Sequence, residues 1–117
     1  MKFAVFLTML LFVNIGYSQI KSKPITEFSQ KHTENIVLVD VRTPEEFESG
    51  HLEHAININF YDPKFIEKFN IADKETTIYL YCKMGGRSAR AASVLDSLGY
   101  KVVNLEGGYN AILQIQE

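Results

Sequence analysis

The chain has 117 residues and carries 12 Lys and Arg against 14 Asp and Glu, a formal net charge of −2. This mild acidity gives no electrostatic reason to expect nucleic acid or a membrane surface as a partner, and the length suits one domain. The sequence holds one cysteine, which excludes an intramolecular disulfide.

The first 18 residues have the pattern of a secretory signal. Lys2 supplies a positive charge, and the eleven-residue, largely apolar stretch 3–13 is followed by small and polar residues up to Ser18. A helix needs about 20 apolar residues to span a bilayer, so this stretch is too short for a membrane span. We therefore predict that residues 1–18 are cleaved and that residues 19–117 form an exported domain, periplasmic or secreted for a bacterial source, without stable membrane association. Retention of the segment as an anchor is the alternative.

Apolar runs alternate with helical patterns after the signal segment. Three nearly continuous runs, rich in valine and aromatic residues, are typical of strands buried on both faces, and one weaker run lies between the first two. In chain order the predicted strands are residues 35–41, 54–58, 76–81 and 100–105. The predicted helices are residues 24–32, 43–50, 62–69 and 87–99.

Helix start and stop signals support these bounds. Thr26 is a candidate cap of the first helix, and Thr43 caps the second, with Pro44 at its first helical position. Asp62, followed by proline, repeats such a start, and Gly99 ends the last of these helices. Since strands alternate with helices and no hairpin dipeptides join them, we predict one α/β domain with an open, mostly parallel sheet flanked by helices.

The lone cysteine, Cys82, directly follows the third predicted strand. In open parallel sheets, ligands bind at the carboxyl ends of the strands, where the N-termini of the following helices also lie. Gly85 and Gly86 permit backbone angles at which successive N–H groups point inward and bind an anion. Lys83 and Arg87 add positive charge beside the thiol. We therefore expect a depressed pKa for the Cys82 thiol and covalent nucleophilic chemistry on a small anionic substrate.

Other cysteine chemistries lack support in the sequence. No second cysteine stands at C-x-x-C spacing, so no dithiol oxidoreductase is predicted, and nothing favours a monothiol redox protein. The three histidines, His32, His51 and His54, do not have metal-ligand spacing with Cys82. We predict no metal and no cofactor. Since no exposed apolar stripe indicates a dimer interface, we expect a monomer.

Three segments of the chain resemble the motifs of rhodanese domains. Residues 40–58, DVRTPEEFESGHLEHAINI, contain an Asp-Val-Arg, a Glu-Phe-x-x-Gly-His and an Ala-x-Asn. Residues 82–88, CKMGGRS, look like the active-site loop of that family, and residues 98–111, LGYKVVNLEGGYNA, look like its closing segment. The resemblance covers nearly all of residues 19–117 and implies a five-stranded parallel sheet flanked by helices.

The resemblance implies a sulfurtransferase. Cys82 would take sulfane sulfur from an anionic donor, thiosulfate or polysulfide, and hold it as a persulfide. It would then pass the sulfur to cyanide or to a thiol, including a protein thiol. The loop side chains Lys83 and Arg87 would bind the donor, and the loop N–H groups would cradle its outer sulfur. Asp40 and Arg42 match the family's Asp-Val-Arg, chiefly as scaffold. The residues that the resemblance assigns to donor binding are Lys83, Met84, Gly85, Gly86, Arg87 and Ser88.

Two positions depart from the common family pattern. His54 stands where a glycine usually precedes the alanine, so the local turn must accommodate a side chain. Ile112 stands where a tryptophan is usual, which we expect to alter the packing of the last helix.

The sequence leaves two other functions open. Phosphatases of related fold hold phosphate with a Cys-x5-Arg loop, whereas here four residues separate Cys82 from Arg87, and Ser88 occupies the place of that arginine. The shorter loop suits one sulfur atom better than a phosphoryl group. A non-catalytic sulfur carrier or binding module would retain the same residues and would transfer sulfur only to a partner protein.

Overall fold

The computed structural model describes residues 20–29 and 35–116. Within these residues, five strands form one sheet in which every neighbouring pair is parallel. The strands are β1 Lys21–Pro24, β2 Ile36–Asp40, β3 Ile56–Asn57, β4 Thr77–Tyr81 and β5 Lys101–Glu106. Their order across the sheet is β1-β5-β4-β2-β3, which confirms the predicted α/β class and the parallel sheet.

Helices connect the strands and flank the sheet. The α-helices are α1 Pro44–Ser49, α2 Gly86–Ser97 and α3 Gly108–Ile115, and two 3-10 segments lie at Ile25–Glu27 and Ile66–Ile71. No helix in the described part of the chain is long and apolar enough to cross a membrane. The predicted signal segment, residues 1–18, lies outside the described residues and stays a prediction.

The helix predicted at residues 24–32 is wrong over its described part. The chain stays extended through Pro24 because β1 pairs with β5, and only a short 3-10 turn follows. Thr26 lies inside that turn and does not cap a helix. The segment is extended again at Phe28, and residues 30–34 lie outside the described residues.

The helix predicted at residues 62–69 is also different. The Asp62 side chain accepts a hydrogen bond from the Lys64 amide at 2.8 Å, and its carbonyl accepts one from the Phe65 amide at 2.9 Å. This is a turn of the kind that aspartate favours, and the regular segment that follows is the 3-10 helix Ile66–Ile71. Asp62 therefore begins a turn and not the predicted α-helix.

The sheet separates two apolar clusters. On the face that α2 covers, Val39, Leu80 and Leu95 belong to a buried cluster that also includes Cys82. On the opposite face, Tyr81 belongs to a second buried cluster. Since side chains alternate along an extended chain, β4 and the residue after it send Leu80 and Cys82 to one face and Tyr81 to the other. The cysteine is thereby directed toward the helix that follows it.

Candidate active site

Cys82 lies at the carboxyl end of β4, a central strand, and the helix α2 begins at Gly86. Its side chain is buried, with 1% of the residue exposed. The Gly85 amide donates a hydrogen bond to Sγ at 3.0 Å, and the Ser88 hydroxyl lies 3.4 Å from Sγ. Gly85 has a φ of 112°, which a residue with a Cβ rarely adopts, so this turn of the loop requires glycine.

The loop lowers the pKa of the Cys82 thiol. Burial raises the pKa, but hydrogen bonds from the Ser88 hydroxyl and from the backbone N–H groups of Ser88, Gly85 and Met84 outweigh it. The net shift is downward from the ordinary thiol value, in the direction expected from the sequence. Directed N–H and O–H groups therefore stabilise a thiolate at this position.

Ser88→Ala is expected to make the Cys82 thiol less acidic. The substitution removes a hydroxyl that stabilises the thiolate, so the pH midpoint of alkylation by iodoacetamide should move upward and the rate at neutral pH should fall several-fold. Ser97→Ala is the matched control, because this exposed serine lies at the far end of α2. A midpoint equal to that of the unmodified protein would contradict the role of the hydroxyl.

Arg87 forms a bidentate ion pair with Glu46 of α1. The two terminal nitrogens of the guanidinium lie 2.7 and 2.9 Å from the two carboxylate oxygens. Oε1 of Glu46 also accepts hydrogen bonds from the amide and hydroxyl of Thr43, which caps α1 in a capping box. The Arg87 hydrogen bond is the main cause that lowers the pKa of Glu46, to about 2. The first turn of α1 thus binds Arg87, the arginine to which the sequence analysis assigned donor binding.

Asp40 and Arg42 form a second, buried ion pair at the carboxyl end of β2. Asp40 is fully buried and Arg42 is 4% exposed, with Nη2 of the arginine 2.7 Å from the carboxylate. The guanidinium also donates to the Gly50 carbonyl at 2.6 Å and stacks over the Tyr109 ring at 4.5 Å. Since Asp40 is the β2 partner of Tyr81, which precedes the cysteine, the pair lies directly behind the loop. Both side chains are thus held in place by other groups of the protein.

The N-terminus of α3 supports the loop from behind. The Tyr109 amide donates to the Cys82 carbonyl at 2.8 Å, and the Asn110 amide donates to the Lys83 carbonyl at 3.0 Å. Gly108, with a φ of 62°, precedes them, and a Cβ there would lie 2.4 Å from the Lys83 carbonyl. The contact of Gly108 with the loop depends on the tertiary fold.

An open depression of about 300 Å³ lies over the thiol. Its lining brings together five of the residues assigned from sequence and adds Arg90, which sequence analysis missed. Arg90 follows Arg87 by three positions on α2, a spacing that places two side chains on the same side of a helix. The other two assigned loop residues, Gly85 and Ser88, contact Sγ. The depression is lined by Cys82, Lys83, Met84, Gly86, Arg87 and Arg90.

The two departures from the family pattern take ordinary places in the fold. His54 has a φ of 65°, so the turn that commonly uses glycine here retains its left-handed backbone with a side chain attached. That side chain is exposed. Ile112 packs against the cluster that contains Tyr81.

Comparisons with known proteins agree with this geometry. The family described as the rhodanese-like domain matches residues 25–114. The chain is similar to thiosulfate sulfurtransferase PspE of Escherichia coli, with 35% identity over 74 residues, 63% of this chain and 71% of that protein. It is similar to a sulfurtransferase of Allochromatium vinosum, with 34% identity over 79 residues, 65% of this chain and 70% of that protein. A crystal structure of a rhodanese-like domain protein from Staphylococcus aureus has a TM-score of 0.70 and 32% identity, covering 79% of this chain and 90% of that one.

Proposed function

The chain belongs to the rhodanese-like domain family, and we propose that it is a sulfurtransferase that carries sulfane sulfur on Cys82. The observation that carries the proposal is a buried thiol of lowered pKa, surrounded by N–H and O–H donors from one loop. Such a thiol forms the nucleophilic thiolate more readily than an ordinary cysteine does, and the donors that stabilise its negative charge can also hold a charged sulfur attached to it.

The reaction has two balanced steps. The Cys82 thiolate attacks the outer sulfur of thiosulfate; an S–S bond forms to Sγ, the S–S bond of thiosulfate breaks, and sulfite leaves with the electron pair. The terminal sulfur of the persulfide then carries the negative charge. Cyanide or a thiolate attacks that sulfur, the bond to Sγ breaks, and the electron pair returns to Cys82 as the thiolate.

The loop supplies the stabilising groups for both steps. The Gly85 N–H donates to Sγ, and the N–H groups of Met84 and Ser88 also lower its pKa. These three groups would also stabilise negative charge on the outer sulfur. Lys83 lines the depression, and its positive charge would attract an anionic donor, whether thiosulfate or polysulfide. Arg87 lines it as well, although its terminal nitrogens bind Glu46.

The phosphatase alternative has less support from this geometry. A phosphate ester is a dianion whose oxygens require several free donors, and in phosphatases of related fold the loop arginine binds them. Here the loop arginine is one residue closer to the cysteine and forms its bidentate pair with Glu46. The Ser88 hydroxyl, at the position of the phosphatase arginine, lies near Sγ and carries no charge.

Intact mass after incubation with thiosulfate tests the proposal. We expect a gain of about 32 Da, one sulfur atom, that is lost again when cyanide is added. Because Cys82 is the only cysteine in the chain, protein alkylated beforehand with iodoacetamide is a control that should gain nothing. No gain with thiosulfate or polysulfide would overturn the proposal. A gain without turnover to thiocyanate would favour the sulfur carrier over the enzyme.

A further inference from the structure

We propose that Arg90 is the arginine that binds the anionic end of the sulfur donor, and that Glu46 withholds Arg87 from this role. The inference rests on the proposed function for the identity of the donor. It assigns anion binding to a helix residue outside the 82–88 loop and makes Glu46 a positioning residue.

Arg87 is already occupied by a carboxylate. Both of its terminal nitrogens bind Glu46, so the face of the guanidinium between them is filled by a carboxylate. Glu46 is itself fixed, because the amide and hydroxyl of Thr43 bind the same carboxylate. Neither side chain is freely exposed, at 17% for Arg87 and 28% for Glu46. The pair has no net charge, so Arg87 attracts a donor anion less than an unpaired arginine would.

Arg90 has the opposite surroundings. Its side chain is exposed, lines the depression over Cys82, and makes no hydrogen bond or ion pair with any of the residues that the structure describes. The Lys83 side chain lies in the same depression and is likewise unpaired within the described residues. These two side chains are therefore the uncompensated cations that a donor meets at the thiol.

The chemistry of the donor favours the arginine for its oxygen end. Thiosulfate carries its charge largely on three sulfonate oxygens, and a planar guanidinium can bind two such oxygens at once, whereas an ammonium acts as a point charge. Donor oxygens on Arg90 would leave the outer sulfur free to approach Sγ, where the loop N–H groups lie. Lys83 would add attraction without fixing the orientation.

Arg90→Gln tests the assignment. We expect the KM for thiosulfate to rise about tenfold, as for the loss of a hydrogen-bonded charge, with kcat changed less than twofold. Arg90→Lys should keep part of the affinity. Lys21→Gln is the matched charge control, because Lys21 is exposed at the amino end of the edge strand β1, whereas the loop lies at the carboxyl end of β4. The KM of this variant should equal that of the unmodified protein. An unchanged KM in Arg90→Gln would overturn the assignment.

Glu46→Gln tests the withholding of Arg87. Removal of the carboxylate charge frees Arg87 for the donor, so the KM for thiosulfate should fall several-fold, and in the Arg90→Gln background it should recover part of the lost affinity. A purely structural role would instead raise KM in both backgrounds. That result would overturn the role of Glu46, provided that the melting curve shows the variant folded.

A second readout separates this inference from the proposed function. Sulfate is an inert dianion, and its ability to slow the alkylation of Cys82 by iodoacetamide measures anion binding without sulfur transfer. We expect about tenfold more sulfate to be needed in Arg90→Gln than in Lys21→Gln. If this difference is seen and no persulfide forms, the anion site stands and the sulfurtransferase proposal fails. If persulfide forms and sulfate protects both variants equally, the assignment of Arg90 fails alone.

Discussion

Cys82→Ser is expected to abolish persulfide formation and to lower the turnover of thiosulfate and cyanide at least about 10³-fold. The loop stabilises a thiolate, whereas a serine hydroxyl stays protonated and is a poor nucleophile toward sulfur. The N–H and O–H donors around Sγ lower the pKa of the Cys82 thiol, but they are not a base that could take the proton of a serine hydroxyl. Turnover should therefore be lost because the nucleophile is lost, while the rest of the site stays intact.

Thiocyanate production and intact mass measure this prediction together. Serine is close to cysteine in size, so the variant should keep the fold and its buried position at the end of β4. Ser88→Ala is the informative companion, since it retains the sulfur and should retain turnover at raised pH. Turnover of Cys82→Ser within tenfold of the unmodified protein would mean that the sulfur is not carried on this residue.

The loop could be predicted from sequence because its residues are adjacent in the chain. A strand, a lone cysteine, two glycines and a helix start within a short segment define the thiol environment almost without tertiary information. The lowered pKa followed from that local pattern, and the structure attributes it to hydrogen bonds within the same loop. The three central strands were predicted for a similar reason, since burial on both faces makes them continuous apolar runs.

The strand β1 escaped prediction because it lies at the edge of the sheet. Its residues, Lys-Ser-Lys-Pro, are polar and mostly exposed, and proline is common in edge strands but rare in central ones. The cap candidate Thr26 suggested a helix start in this segment. Pairing with β5 overrode that signal, and such pairing joins residues about 80 positions apart in the chain.

The contacts that control Arg87 could not be predicted from sequence for a related reason. The spacing of Thr43 and Glu46 is that of a capping box and indicates their mutual hydrogen bonds. Nothing in the pattern indicates that the same carboxylate binds an arginine 41 residues later. The place of Arg90 beside the thiol could not be predicted either, because an exposed arginine on an amphipathic helix has the same sequence pattern whether it faces solvent or a substrate.

Gly108→Ala is expected to lower the free energy of unfolding by about 3–4 kcal/mol, through backbone strain and overpacking. The residue has a φ of 62°, and an added Cβ would lie 2.4 Å from the Lys83 carbonyl carbon and oxygen and 2.6 Å from the Cys82 carbonyl oxygen. Backbone atoms cannot turn away as a flexible side chain could. The N-terminus of α3 would have to retreat, which would break the hydrogen bonds from Tyr109 and Asn110 to the loop carbonyls.

Gly99→Ala measures the cost of a left-handed backbone without a steric clash of the added Cβ. Gly99 also has a left-handed backbone, with a φ of 90°, but nothing lies within 4 Å of the position of its Cβ, so we expect a loss of about 1–2 kcal/mol. Denaturant unfolding of both variants gives the difference that belongs to the contact with the loop. Because that loop holds the amide that donates to Sγ, Gly108→Ala should also raise the pKa of Cys82, measured by the pH dependence of alkylation, while Gly99→Ala should leave it unchanged. Equal unfolding free energies and equal alkylation midpoints in the two variants would mean that α3 does not fix the loop, and that the geometry around the thiol comes from β4 and α2 alone.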